Sequence, residues 1–330
     1  MSGVPGSSVV RRSVVLDVDT GTDDAVAIML AALHPALELV AVTTVNGNAP
    51  IDVVVDNTLR VLDLLDLAVP VYRGADRPWM RTDFPVPRAQ RPDRAVHARP
   101  LPLPSARSHQ AEGVAHEALV RLARERPGEL TLVTTAPLTN VALALEVEPA
   151  LPTLLREVVT LAGIHAIGNV TPAADFNAWA DPEAIRAVLA AGLPEHLLIP
   201  LDTSQSAPLD AALCDRLDAS ASPAARAAAR LVRERIDAYA DRATLAAARA
   251  APVHDAFAVA TLVELRLVER KRVHVDVETR GELTTGRTVI DFEGRGGRAP
   301  NVDVAMPGDV GRFERVLTRA LLGTSVGVDD

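Results

Sequence analysis

Short β-branched runs alternate with longer amphipathic stretches along most of this chain, and this alternation restricts the folds that it can adopt. Strands that alternate with helices imply βαβ units and a mostly parallel sheet. The predicted strands are residues 14–16, 37–44, 130–134, 158–162 and 196–200, and the predicted helices include residues 25–33, 52–67 and 182–191. Residues 273–278 and 288–292 alternate apolar with polar positions, which indicates a small antiparallel hairpin at the sheet edge.

The chain contains no linker at which it divides cleanly, so we predict a single α/β domain over residues 13–330, preceded by a flexible tail over residues 1–12. Residues 73–108 are rich in proline and lack periodicity, which predicts a long surface loop or flap. Residues 222–251 are rich in alanine and arginine and predict one long helix or a helical pair.

Composition excludes several classes of protein. Lysine and arginine total 34 and aspartate and glutamate total 43, so the formal charge is 34 − 43 = −9, which disfavours a DNA- or RNA-binding surface. The single cysteine, Cys214, excludes an internal disulfide framework and a cysteine-based zinc site. No apolar run reaches the roughly 18 residues of a membrane span, so a soluble, cytoplasmic protein is expected.

Four carboxylates, Asp17, Asp19, Asp23 and Asp24, follow the first predicted strand within eight residues. Strand alternation points Asp17 and Asp19 to the same side, and Asp23 and Asp24 open the next helix. Unit charges about 5 Å apart repel by roughly 3 kcal/mol at an effective dielectric constant near 20. One aspartate that caps a helix beside solvated neighbours would explain part of the pattern. A hard cation such as Ca²⁺ or Mg²⁺ explains all four.

Two enzyme classes place aspartates at the end of a first strand in this way. Residues 17–19 match the start of the Asp-x-Asp-x-Thr/Val signature of Mg²⁺-dependent haloacid-dehalogenase-type phosphatases, but Gly21 occupies the Thr/Val position. The only lysine, Lys271, lies in the predicted hairpin, which is a poor place to hold a phosphate. Residues 17–25 fit better, because they resemble the Asp-x-Asp-x-Gly-x-Asp-Asp-Ala signature of the inosine–uridine-type nucleoside hydrolases.

Further stretches extend this resemblance over about residues 14–292. Residues 43–48 are similar to the family's Thr-Val-x-Gly-Asn turn, and residues 134–140 to its Thr-Gly-Pro-Leu-Thr-Asn segment, with Ala136 in place of glycine. Residues 168–177 resemble Gly-Asn-x-Thr-x-x-Ala-Glu-Phe-Asn, with Asp175 in place of glutamate, and residues 252–256 contain the family's His-Asp pair. The glycine-rich flap motif of the family is not kept at residues 96–102, although its histidine is present as His97.

The resemblance implies a nucleoside hydrolase-like fold that hydrolyses the N-glycosidic bond of ribonucleosides to ribose and free base. By resemblance, a calcium ion is held by Asp19, Asp24, Asp255 and the carbonyl of Thr135. Asp19 activates the metal-bound water that attacks the sugar directly, and His254 assists the departing base. The implied substrate-binding residues are Asp23, Asn48, Asn169, Asp175, Asn177, His97 and Tyr239. Asp17 is expected to orient the turn and the metal ligands without binding the metal itself.

Two alternatives to the hydrolase stay open at this point: the phosphatase, and a non-catalytic member of the same fold that binds nucleosides or sugars. A modified nucleoside or a nicotinamide riboside-like compound is a third possibility for the substrate. The resemblance also implies a homodimer or homotetramer. His116, His196 and His274 are expected to be structural or solvent-facing, while the role of His165 and the choice between purine and pyrimidine stay undecided.

Overall fold

A computed structural model describes residues 11–84, 100–240 and 242–323. Its strands are β1 (Arg12–Val18), β2 (Leu37–Thr44), β3 (Val71–Arg73), β4 (Leu130–Thr134), β5 (Glu157–Leu161), β6 (His196–Ile199), β7 (Leu209–Asp210), β8 (Ala250–Ala251), β9 (Arg270–Val277), β10 (Thr288–Asp291) and β11 (Val302–Ala305). Its helices are α1 (Thr22–Leu33), α2 (Ile51–Leu64), α3 (Ala115–Glu125), α4 (Thr139–Val147), α5 (Leu151–Leu154), α6 (Phe176–Ala180), α7 (Pro182–Ala190), α8 (Leu201–Gln205), α9 (Ala211–Asp218), α10 (Pro223–Ala238), α11 (Ala243–Ala248), α12 (His254–Ala260) and α13 (Val310–Leu322).

Within the described residues, nine strands form one sheet in the order β10-β9-β11-β6-β5-β4-β1-β2-β3. The strands from β11 to β3 are parallel to their neighbours, whereas β9 pairs antiparallel with both β11 and β10. The predicted α/β class, with its mostly parallel sheet and antiparallel edge hairpin, is therefore confirmed. Strands β7 and β8 form a separate antiparallel pair.

Strand β1 is buried on both faces of the sheet. Val14 and Leu16 pack into one apolar core, and Val15 between them packs into the other, as the two-residue period of a strand requires. From β1 the chain adds β2 and β3 on one side and then returns to add β4 on the other side of β1. A reversal of this kind opens a crevice at the carboxyl ends of the strands, which is where α/β proteins bind ligands.

Two predicted helical features are also present. Residues 222–251 contain the helical pair α10 and α11, and Asp181 caps α7 by accepting a hydrogen bond from the backbone N–H of Ala184 (3.1 Å). The bounds predicted for the tail, the domain and the flap stay predictions, since residues 1–10 and 85–99 lie outside the described residues. No helix in the described part of the chain is long and apolar enough to cross a membrane.

The described ends of the predicted flap are bound to different helices. The backbone N–H of Trp79 donates to Asp181 (2.7 Å), and Arg81 pairs with Glu183 (2.7 Å), so one end is held at α7. On the other side, the backbone N–H of Leu101 donates to Asn57 of α2 (2.8 Å). The described residues on the two sides of this segment are therefore held at two different helices, α7 and α2.

His196 supplies a test of the fold that does not involve the crevice. Burial lowers the pKa of His196 to about 3, with a smaller contribution from Arg272. Because the folded pKa lies below the unfolded value, stability is present above the unfolded pKa and is lost as the pH falls. Between about pH 8 and pH 5 this group should cost about 2 kcal/mol of unfolding free energy. We expect His196→Gln to remove that part of the slope in urea denaturation, and an unchanged slope would contradict this account.

Candidate active site

The acidic cluster lies where β1 ends and α1 begins. Asp19 is one residue beyond β1, and Asp23 and Asp24 occupy the first turn of α1. All three side chains are buried. The positive end of the helix dipole favours carboxylates at this position, and the backbone N–H of Gly21 donates to Asp24 Oδ2 (2.9 Å). Closeness in the sequence and the start of α1 thus place these three carboxylates near one another.

Asp255 completes the cluster from another part of the chain. It lies in the first turn of α12, which packs against α1. One carboxylate oxygen from each of Asp23, Asp24 and Asp255 lies within 4.8 Å of the others. Burial, reinforced by the neighbouring carboxylates, raises the pKa of Asp24 to about 6 and that of Asp255 well above its ordinary value. Three buried hard oxygen donors, of which Asp24 and Asp255 have raised pKa values, fit a site for a divalent cation such as calcium.

Thr135 and Asn177 connect the cluster to the neighbouring strand β4. Thr135 follows β4, the partner of β1, and its hydroxyl donates to Asp24 Oδ1 (2.8 Å). The Thr135 carbonyl accepts a hydrogen bond from Asn177 Nδ2 (2.9 Å). The structure therefore places Thr135 against Asp24 and Asn177 against Thr135, and the roles of both residues toward metal and sugar stay those that the resemblance implies.

Asp19 faces the turn that follows β2. The backbone N–H of Asn48 donates to Asp19 Oδ2 (2.6 Å), and Asn48 Nδ2 donates to Asp19 Oδ1 (2.9 Å). Gly47 is required for this approach, because a Cβ at that position would lie 1.9 Å from Asp19 Oδ2. Asp19 is therefore oriented by Asn48. Asp23, which the resemblance assigns to the ribose and not to the metal, lies with Asp24 and Asp255 in the triad of carboxylates that could share one cation.

Asp17 lies behind the cluster at the end of β1. Its Oδ1 accepts hydrogen bonds from the Thr43 hydroxyl (2.6 Å) and from Asn140 Nδ2 (2.8 Å), and burial raises its pKa to about 6. The backbone N–H of Thr135 donates to the Asp17 carbonyl (2.9 Å). These contacts fit the supporting position expected for Asp17, and they join three strands beneath the site.

Asp175 is engaged by the backbone. Its Oδ1 accepts from the N–H of Gly163 (2.7 Å), and its Oδ2 accepts from the N–H of Asn177 (3.0 Å), which caps α6. Burial raises its pKa to about 6. Asp175 therefore orients Asn177 and the loop after β5, a role that the comparison with glutamate in the sequence motif does not reveal. Asn169, on the tight turn over residues 168–174, is half-buried.

His254 opens α12 next to Asp255, and its Nδ1 lies 2.8 Å from the Ser204 hydroxyl. That hydroxyl has one proton, which it donates to the carbonyl of Leu201 (3.0 Å). When that proton is given to Leu201, Ser204 accepts from Nδ1–H, and the neutral ring then carries its lone pair on Nε2.

The other predicted site residues are less closely connected to the cluster. Tyr239 ends α10 and packs against the guanidinium groups of Arg242 and Arg235, 4.6 and 5.7 Å from its ring centroid. His97 lies outside the described residues. His165 follows β5, and its ring packs on Phe292 with 5.3 Å between centroids. His196 lies at the start of β6 and bonds to Thr160 (3.0 Å), which supports a structural role.

Arg235 and Ser204 are contacts of the site that sequence reasoning missed. Arg235 is 1% exposed, and its Nη1 lies 3.0 Å from Asp23 Oδ1. A signal for it exists in the sequence, since Arg235 falls three and four residues after Val232 and Leu231, on the apolar side of α10. A lone arginine on the buried side of an amphipathic helix needs a partner, and here the partner is Asp23.

Comparisons with known proteins agree with this geometry. The family model described as inosine-uridine preferring nucleoside hydrolase matches residues 14–315. The pyrimidine-specific ribonucleoside hydrolase RihB of Escherichia coli (strain SE11) is 31% identical over 317 residues, which cover 95% of this chain and 98% of that protein. Both findings confirm the resemblance that the sequence motifs predict.

Solved structures show the same architecture. A purine-preferring ribonucleoside hydrolase from Gardnerella vaginalis aligns with a TM-score of 0.85 at 26% identity and covers 94% of this chain and 98% of that one. The plant nucleoside hydrolase PpNRh1 aligns with a TM-score of 0.86 at 24% identity, over 95% of this chain and 99% of that one, which shows the shared fold. The predicted nucleoside hydrolase-like fold is thereby confirmed.

Proposed function

Because this chain belongs to the family of inosine-uridine preferring nucleoside hydrolases and is an N-glycosidase, we propose that it hydrolyses ribonucleosides to ribose and free base with a bound calcium ion. The buried triad of Asp23, Asp24 and Asp255 is the observation that carries this proposal. It lies at the carboxyl end of β1, beside amide side chains suited to a sugar.

The proposed calcium ligands are the carboxylates of Asp24, Asp255 and Asp19 and the carbonyl of Thr135. All four residues are buried, and each offers an oxygen atom as a ligand. The raised pKa values of Asp24 and Asp255 indicate that their negative charges are unfavourable there without a cation. When bound, calcium would lower the pKa of a water molecule and position it beside the sugar. The family and the triad support a metal, and the all-oxygen donor set favours calcium among the candidates.

Asp19 is the proposed general base. Its carboxylate is buried, and both oxygens are oriented by Asn48, which holds a fixed acceptor above the end of β1. A preorganised carboxylate can take the proton of the attacking water as the bond to the anomeric carbon forms. Direct attack by water would invert that carbon, by analogy with inverting glycosidases.

The ribose hydroxyls are proposed to bind Asp23 and Asn177, with Asn48, Asn169 and Asp175 around them. Carboxylates accept hydrogen bonds and amides both donate and accept them, so this set can satisfy a diol. Positive charge develops on the sugar ring as the glycosidic bond breaks, and the nearby carboxylates stabilise it. Asp175 contributes by holding Asn177 in place through its backbone N–H (3.0 Å).

The departing base is proposed to meet His254, with Tyr239 and His97 at the base pocket. Ser204 holds His254 by its Nδ1 atom, so Nε2 is the atom proposed to meet the departing base. A protonated ring can then donate from Nε2 to the leaving base and help to neutralise its charge.

The matched relatives differ in the base that their names state: pyrimidine for the Escherichia coli protein and purine for the Gardnerella vaginalis protein. The proposal therefore does not specify a purine or a pyrimidine base. Base preference is proposed to depend on residues 73–108 and on the helices before His254.

The decisive experiment is base release from a panel of ribonucleosides, followed by chromatography with and without a calcium chelator. We expect release of at least one class of base, loss of that release in the chelator, and recovery when calcium is restored. Base release that the chelator does not reduce would contradict a role for the metal in the reaction. A calcium-loaded, folded protein that releases no base from any member of the panel, including nicotinamide riboside, would contradict the proposed reaction.

The two alternatives from the sequence are disfavoured. Lys271 lies in β9, and its Nζ is 5.1 Å from the centroid of the Phe292 ring, so it is occupied in the edge hairpin rather than beside Asp17. Membership in a family of hydrolases favours an enzyme over a binding protein that lacks catalysis. A cytoplasmic location and a homodimer or homotetramer remain proposals that rest on composition and on the resemblance.

A further inference from the structure

Arg235 connects the two segments that supply the carboxylate triad. Its Nη1 lies 3.0 Å from Asp23 Oδ1 and donates to the Thr22 hydroxyl (3.1 Å), both at the start of α1. Its Nε donates to the carbonyl of Pro252 (2.8 Å), on the segment that leads into α12. A guanidinium that is 1% exposed is stable only because it is paired in this way.

The position of Asp23 raises a question about its role. Its carboxylate lies within 4.8 Å of those of Asp24 and Asp255, so it can join them on one cation. The proposed reaction instead needs Asp23 for a ribose hydroxyl. A carboxylate held by a divalent ion has less negative charge to offer a hydroxyl donor, so the two roles compete.

We infer that Arg235 is a positioning residue that reserves Asp23 for the substrate by holding its carboxylate away from the cation. The inference rests on the proposed function for the identity of the substrate, whereas the competition between Arg235 and the cation rests on the charges alone. The guanidinium forms an ion pair with one oxygen of Asp23 at 3.0 Å, and its positive charge repels a divalent ion placed among the three carboxylates.

This arrangement predicts opposite effects on metal and substrate. Without the guanidinium, the positive charge next to the cation is gone and Asp23 is released to join the metal ligands. We therefore expect Arg235→Met to bind calcium about tenfold more tightly. The same variant should show about a tenfold higher KM for the nucleoside, because Asp23 is no longer oriented toward the sugar.

The first measurement is a calorimetric titration of the metal-stripped protein with calcium alone, for wild type, Arg235→Met and Arg235→Gln. The Gln variant keeps a donor for the Pro252 carbonyl without the charge, and it carries the test if the Met variant does not fold. Steady-state base release then gives kcat and KM at saturating calcium. Arg235→Lys, which restores the charge but not the planar donor geometry, should recover most of the wild-type calcium affinity and part of the KM.

If Arg235 only stabilised the fold, its replacement would lower both the thermal stability and the calcium affinity. Calcium binding that is unchanged or weaker in a folded neutral variant would therefore overturn the inference. Asp23→Asn provides a second criterion, because in that background Arg235→Met should have a much smaller effect on calcium affinity. An equal effect in both backgrounds would mean that Arg235 acts as a general positive charge and does not reserve Asp23.

Arg12→Met is the matched control. Arg12 also forms a part-buried ion pair, with Glu157 (2.8 Å), but at the opposite end of β1. It should leave calcium affinity and KM unchanged. If wild type itself releases no base, the proposed function fails, and the calcium titrations still decide whether Arg235 competes with the cation.

Discussion

Replacement of Asp19 with asparagine is expected to lower kcat for base release by about 10³-fold while the fold is retained. An asparagine has nearly the same shape, but its amide cannot accept the proton of the attacking water. Asn48 donates to both oxygens of Asp19, so the NH₂ group of the substituted amide would also lie against one N–H donor of Asn48. The measurement is steady-state base release at saturating calcium, with thermal unfolding to verify the fold.

Asp215→Asn is the matched control for this variant. Asp215 lies on α9 with a largely exposed side chain that pairs with Arg233 (2.8 Å), so it tests the loss of a carboxylate away from the crevice. It should keep the wild-type kcat. If Asp19→Asn retains activity within about threefold of wild type, Asp19 is not the general base.

Replacement of Asp255 with alanine is expected to weaken calcium binding by about 10³-fold, since the site loses one of its charged ligands. Calcium stabilises the folded state that binds it, so it should raise the Tm of wild type but not that of the variant. In chelator, we expect Asp255→Ala to have a higher Tm than wild type. Wild type then carries three crowded buried carboxylates, and the raised pKa of Asp255 shows that its charge is costly there.

Thermal unfolding of both proteins in calcium and in chelator gives all four values. Asp215→Ala is the corresponding control and should behave as wild type in both conditions. A calcium-dependent rise of Tm in Asp255→Ala equal to that of wild type would remove Asp255 from the set of metal ligands.

The sequence predicts the parts of this protein that depend on local pattern. The strand ends and the Asp17–Asp24 run are readable because strand alternation, the turn at Gly21 and helix capping all act over a few residues. The α/β class follows from the same alternation. Asp255 is identified only through the family resemblance, because nothing local in residues 252–256 shows that α12 packs against α1.

What the sequence does not reveal is how polar side chains are divided among partners. Asp175 matches a sugar-binding position, but both of its oxygens are used by backbone N–H groups of Gly163 and Asn177. Arg235 looks like one of many arginines in α10 until its depth is known. Such assignments depend on distances between segments that are remote in the chain, and periodicity carries no information about them.

The division of the carboxylate triad between α1 and α12 also has a consequence for the order of events during synthesis. Asp23 and Asp24 leave the ribosome early, whereas Asp255 follows only after most of the sheet has been translated. A nascent chain that stops before α12 lacks Asp255, so the proposed calcium ion could stabilise the fold only near the end of translation. The ion would therefore stabilise a fold that is already assembled, and it would not nucleate the folding of the first strands.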